Sequence, residues 1–311
     1  MWRSRQWRRA AWRRPSAHPG AAVSHGATPS RGYRLKQESL PLAGAANLLV
    51  RSLLDRQQFH DPRGQAERLG ISSAGWSLFG LAWPSAARLA ELLIERLALR
   101  PWVRGERALE VGCGLALPSL VGHRGGMDVT ASDVHPLAST FLRANLRLNH
   151  LGPMKYRHGA WGGGSGASGT NDMNRTSGTG GGAVRPAPEF VPRGARAAHR
   201  PSSIVRGRFD LVFGSDLLYE RDGAVHLAAF IGRHTLPRSE VWIVDPDRGN
   251  RSAFNRLMAA MGFVLTESRL DRAALGRLPA YKGRLLTYER GAAVGVAQPG
   301  APERPGACAV P

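Results

Sequence analysis

The sequence predicts a doubly wound α/β fold, a mostly parallel sheet that ends in a C-terminal antiparallel hairpin. Three observations carry that expectation. Short apolar strands alternate with amphipathic helical segments from Arg107 to Met261, as in strand–helix–strand units whose strands run parallel. The strand Arg107–Val111 breaks at Gly112 and Gly114 into a tight turn. Residues able to carry chemistry recur where strands end, at Glu110 to Gly114, Asp133, Trp161, Asp216 to Glu220 and Asp245 to Arg248. Open parallel sheets bind ligands at those carboxyl ends.

The elements follow in order. Tyr33–Leu42 and Asn47–Leu54 read as paired strands around Gly44, and Asp61–Gly75 as a loop. Pro84 suits the first turn of a helix running to Leu99, with Leu89, Leu92, Leu93 and Leu97 along one face. The glycine turn opens a helix over Leu115–His123, and a second strand runs Val129–Asp133. His135-Pro136 then starts a helix through Asn149, with Leu137, Phe141, Leu142, Leu146 and Leu148 as its apolar positions. Lys155–His158 is a third short strand. Arg208–Gly214 and Glu240–Asp245 are buried strands on either side of a helix over Asp222–His234. Asn250 is placed to cap a helix over Arg251–Met261. Phe263–Arg269 and Arg284–Glu289 complete seven strands as the final hairpin.

Composition sets the outer limits. The net charge is +20, but residues 1–34 carry eight arginines and no acid, and residues 162–208 carry seven arginines against Asp172 and Glu189. The excess therefore lies mainly outside the strand–helix pattern, so a folded nucleic-acid groove is not implied. Residues 1–32 read as a disordered basic extension, with a transit peptide and a nucleic-acid contact as alternatives. Residues 162–203 collapse to Gly, Ser, Ala, Arg and Pro and read as a disordered insertion, and residues 291–311 as a disordered tail. One domain over 33–290 remains. Two cysteines, Cys113 and Cys308, in a core turn and a tail point to a reducing compartment. The expected location is the cytoplasm, or the mitochondrial matrix if the extension is a transit signal. No apolar run reaches a membrane span. No metal-ligand set is assigned, and a monomer is expected.

The glycine turn carries the chemistry. Glycine is expected at 112 and 114 because a ligand comes close to bare backbone there. Asp133 follows about twenty residues on, where a carboxylate can accept both hydroxyls of a ribose. The dinucleotide fingerprint requires a small residue at 117, and Leu117 excludes it. What fits is acidic-x-Gly-x-Gly-x-small, here Glu110, Gly112, Gly114 and Ala116. That pattern resembles motif I of the seven-strand S-adenosylmethionine-dependent methyltransferases, which have a Rossmann-like fold. A carboxylate at Glu110 would suit the amino and sulfonium charges of that ligand.

Four stretches extend the resemblance to the protein-lysine methyltransferase family of that class, including its bacterial members. They are Leu81-Ala-Trp-Pro-Ser85, Glu110-Val-Gly-Cys-Gly-Leu-Ala-Leu-Pro-Ser119, Ser132-Asp-Val-His-Pro136 and Gly214-Ser-Asp-Leu-Leu-Tyr219. The resemblance implies S-adenosyl-L-methionine as cofactor, with Trp83, Glu110, Gly112, Cys113, Gly114, Asp133, Trp161 and Ser215 around it. It implies that Asp216 orients the methyl-accepting amine of a protein substrate and that Tyr219 walls the channel. Core packing for Trp83, a helix-start role for His135 against an adenine-facing one, and a helix cap at Asp216 stand beside these readings. The family's acidic residue before the tryptophan is Ala160 here, so a side-chain hydrogen bond to the adenine amine is missing. A small-molecule N- or O-methyltransferase, and a cofactor-bound or RNA-binding protein without transferase activity, are the rival functions.

Overall fold

The computed structural model describes residues 33–61, 64–161, 204–219, 223–247, 249–274 and 280–291. The expectations for residues 1–32, 162–203 and 292–311 lie outside these. The chain opens with a hairpin of β1 (Leu35–Leu42) and β2 (Ala45–Leu53), turning at Gly44 with φ 77°. Where the sequence suggests a loop, two single-turn helices form, α1 (Gln65–Arg68) and α2 (Ser73–Trp76), and a 3-10 turn over Ser77–Gly80 follows. Burial of Trp76 and Phe79 anchors that stretch, and Ser72 Oγ accepts the Gly75 N–H at its start. Then come α3 (Pro84–Leu99), β3 (Ala108–Val111), α4 (Leu117–Arg124), β4 (Val129–Asp133), α5 (Ala138–Leu148) and β5 (Lys155–His158). After the insertion the chain runs β6 (Phe209–Ser215), α6 (Gly223–His234), β7 (Thr235–Asp245), α7 (Arg251–Ala260), β8 (Val264–Arg272) and β9 (Tyr281–Arg290).

The main sheet has seven strands in the order β5-β4-β3-β6-β7-β9-β8. Strands β3 to β7 are parallel, and β9 runs antiparallel between β7 and β8. The chain starts in the middle, winds outward through β4 and β5, and returns to β6 on the other side of β3. Alternation along β3 follows: Leu109 and Val111 pack with α6 and α7, while Ala108 packs with Leu89 and Leu93 of α3. This two-sided burial is why the strands read as continuous apolar runs.

Among the boundaries that moved, two have a visible cause. Helix α4 starts at Leu117, because Ala116 takes a left-handed conformation at φ 61°. Strand β7 begins at Thr235, five residues before the apolar run, since Phe209 pairs with Thr235 across a bulge and Arg290 donates to Thr235 Oγ1 and Leu236 O. Asn250 does not cap α7 with its side chain. Its amide donates to Leu218 O at 2.9 Å instead, tying α7 to the segment after β6.

Polar side chains hold the outer layers. Glu91 of α3 is fully buried and accepts from Arg88 and from Arg272 of β8, at 3.2 and 3.1 Å. The hairpin docks on α5 through two asparagines one helical turn apart. Asn149 accepts the Leu49 N–H and donates to Leu49 O, at 2.9 and 2.7 Å. Asn145 accepts the Arg51 N–H at 2.8 Å and donates to Arg51 O at 3.4 Å. The two amides thus stand in for a strand against the free edge of β2. Asn145→Ala should destabilise the protein by about 1–3 kcal/mol, because it strands buried backbone groups. Urea unfolding monitored by circular dichroism reads that loss, and unchanged stability would show that the hairpin docks by apolar contact alone.

Candidate functional site

The turn after β3 is built by three alternate left-handed residues, Gly112, Gly114 and Ala116, at φ 62°, 51° and 61°. Cys113 N–H donates to Ser132 O at 2.9 Å, so the turn is bonded to the neighbouring strand. A side chain at Gly112 would meet Leu217 and Trp161 at 2.7 and 2.8 Å, and one at Gly114 would meet the Phe79 carbonyl oxygen at 2.8 Å. The expectation that a ligand alone demands these glycines is therefore corrected: protein atoms already occupy both places.

Asp133 ends β4 with its carboxylate folded back over the turn. Oδ2 accepts the Gly114 N–H at 2.7 Å and Oδ1 accepts the His135 N–H at 2.8 Å. Each oxygen keeps a lone pair for another donor. Burial pushes its pKa up, while the His135 and Gly114 amides and the His158 side chain act the other way. His158 is its register partner on β5, and no sequence pattern singled it out.

Glu110, 2% exposed, turns to the α4 side and accepts the Ser119 N–H at 3.0 Å. Burial pushes its carboxyl up to about 8, against the Ser119 hydrogen bonds and with help from Asp133. Cys113 is buried too, and desolvation together with Asp133 and Glu110 drives its thiol well above the ordinary range. It packs as a small neutral side chain and contributes backbone to the turn.

His135 takes the helix-start role. Its Nδ1 accepts the Leu137 N–H at 3.2 Å, and its ring stacks on Phe79 at 3.7 Å and meets Trp76 edge-on at 4.3 Å. Burial pushes it down to about 3, so it is neutral. Trp83 stands just before Pro84, donates its Nε1–H to Leu78 O at 2.8 Å and carries the Arg56 guanidinium over its ring. Trp161 does reach the turn, with its ring edge against Gly112.

Ser215 closes β6, and Asp216 turns left-handed at φ 59° while its N–H bonds Val244 O at 2.8 Å. Leu217–Tyr219 after it are not helical, so the helix-cap alternative for Asp216 does not hold. Leu217 folds back against Gly112 and Gly214, and Tyr219 stays half exposed. The structure thus gathers Gly112, Trp161 and the 215–219 segment on one side of the turn, and Gly114, Asp133 and His135 on the other. Phe79 joins them without a motif signal, because only nonlocal packing brings it there. Asp245, buried at the end of β7, accepts the Asp247 N–H at 2.8 Å.

A glycine turn at the point where the strand order reverses, with a carboxylate on the next strand end, defines a doubly wound α/β fold of the nucleoside-binding type. No protein-family model matches the chain. The chain is similar to the electron transfer flavoprotein beta subunit lysine methyltransferase of Xenopus laevis, at 30% identity over 83 residues. The match covers 26% of this chain and 31% of that protein, so it spans about a third of the relative's length. Among solved structures, the T. thermophilus 16S rRNA N2 G1207 methyltransferase aligns with a TM-score of 0.47 and 15% identity, over 85% of this chain and 52% of that one. A methyltransferase from Pyrococcus furiosus aligns with a TM-score of 0.41 and 19% identity, over 64% and 83%.

Glu110 has a measurable signature. Its folded value lies above its ordinary 4.5, so the folded state binds more protons than the unfolded one between the two. Stability from this group is lost as pH rises through that window, by at most about 1.4 kcal/mol per unit. Glu110→Gln keeps an acceptor for Ser119 and removes the titration. Denaturant unfolding from roughly pH 5 to 8 should then fall less steeply for the variant than for wild type, and parallel curves would show that Glu110 stays ionised.

Proposed function

We propose that this protein is an S-adenosylmethionine-dependent methyltransferase that acts on a lysine amine of a protein substrate. One observation carries the reading: the glycine turn, Asp133, Trp161 and the Ser215–Tyr219 segment converge at the carboxyl ends of neighbouring strands around the sheet's reversal point. The similarity to a lysine methyltransferase over 83 residues supports it. The donor set fits the cofactor. Asp133 keeps acceptor capacity beside Gly114, and Glu110 and Asp133 are buried with no ion pair among the described residues. That balance suits a ligand bearing positive charge.

Each residue then has a task. Asp133 holds the ribose hydroxyls, Gly112, Cys113 and Gly114 present backbone to the amino-acid end, and Trp161 with Ser215 borders the nucleoside. Trp83 flanks the pocket, and Glu110 offsets the ligand's positive charge. Bound S-adenosylmethionine supplies an electrophilic sulfonium methyl. The protein's contribution is alignment of an uncharged amine in line with it. A free lysine, with a pKa of about 10.4, is neutral roughly one part in a thousand near pH 7. Asp216 orients the amine and accepts its proton, and Tyr219 walls the channel.

Two variants separate binding from transfer. Asp133→Ala should weaken S-adenosylmethionine binding by about 1–3 kcal/mol, because buried hydroxyls lose a charged acceptor. Calorimetry showing wild-type affinity in a folded variant would remove Asp133 from the site. Asp216→Asn should slow single-turnover methylation of a protein lysine by roughly ten- to a thousand-fold, or about 1.4–4 kcal/mol, while cofactor affinity changes much less. Transfer to small amines but to no protein, measured with labelled cofactor, would overturn the substrate assignment.

A further inference from the structure

Among the described residues two glutamates are fully or nearly fully buried, Glu91 on α3 and Glu110 on β3, and the molecule treats them oppositely. Glu91 is clamped by two arginines, Arg88 and Arg272. Glu110 has the Ser119 amide as its hydrogen-bond donor and forms no ion pair among the described residues. From β4 it faces the Asp133 carboxylate, and from the turn the Cys113 thiol. From β5, next to Asp133, come the half-buried His158 imidazole and the Tyr156 hydroxyl, which donates to Asp133 O; Arg143 of α5 acts on Tyr156. Its β6 register partner is the apolar Phe213, and α4 presents the amide and hydroxyl of Ser119. Two buried carboxylates flank one turn beside amides, the Ser119 hydroxyl and the His158 imidazole, with no arginine or lysine ion pair among the described residues, and a buried carboxylate without a paired cation favours its neutral form.

The geometry points to Glu110 as a proton-linked charge gauge that releases its proton to solvent when a sulfonium ligand occupies the turn and regains one when the uncharged thioether product remains. The site thereby favours the cofactor over the spent product, increasingly as pH rises. This rests on the proposed cofactor. The proton balance is closed: Glu110 gives up the carboxyl proton to buffer, the cation replaces it as counter-charge, and no bond in the ligand changes. At pH 7 a carboxyl that titrates near 8 carries about 0.9 proton, which sets the release to be seen.

Isothermal titration calorimetry of the full chain, in two buffers of different ionisation enthalpy, counts protons for S-adenosylmethionine and for S-adenosylhomocysteine. Both ligands carry an α-amino group that titrates near neutral pH, so E110Q supplies the background for each. Wild type should release close to one proton more with the sulfonium than with the thioether, and E110Q should lose that difference. Between pH 6 and 8 wild-type affinity for S-adenosylmethionine should rise up to about tenfold per unit, with affinity for the thioether flat. Equal proton counts for both ligands, or an unchanged difference in E110Q, would overturn the inference and leave the cofactor assignment standing. Should E110Q fail to fold, the wild-type difference between ligands still decides. Failure of S-adenosylmethionine to bind at all would remove the proposed function and this inference together.

Discussion

The hydrogen bond from the Gly114 amide to Asp133 is the contact on which the ligand end of the sheet depends. It joins the turn after β3 to the tip of β4, at the place where the chain reverses its direction of winding. Around it the structure closes in both directions. The Phe79 carbonyl presses on Gly114 and the Phe79 ring lies on His135, while Trp161 and Leu217 press on Gly112. The turn is held by its own protein before any ligand arrives, so binding need not order it.

That preorganisation has an electrostatic side. A buried carboxylate is costly when nothing offsets its charge, and the fold shows at Glu91 that it can supply arginines where stability is the purpose. At Glu110 and Asp133 it supplies amides. The contrast within one chain separates an acid paired with arginines from acids that form no ion pair among the described residues, and it does so without reference to any motif.

Much of this was legible in the sequence. The periodicity of Leu89, Leu92 and Leu93 gave α3 its buried face, and the Gly112–Gly114 break and Asp133 marked the bonded turn at the carboxyl ends of β3 and β4. What was not legible depends on contacts far along the chain. Nothing local marks Asn145 as a fully buried residue, because its partner is the edge of a hairpin about a hundred residues earlier. The glycines were assigned to the turn, but the atoms that require them belong to Phe79, Trp161 and Leu217. A helix cap was the alternative role for Asp216, and its left-handed backbone with the non-helical Leu217–Tyr219 after it excludes that role.

The asparagine pair on α5 also bears on how the molecule behaves in a crowd of its own copies. A two-stranded sheet has two open edges, and an open edge invites another chain to add a strand. Here α5 shuts the β2 edge with Asn145 and Asn149. The β1 edge carries the Lys36–Glu38 ion pair, and Pro41 lacks an amide donor. Both sides of the hairpin are thus guarded against runaway association, one by side chains imitating a strand and the other by charge and a missing donor.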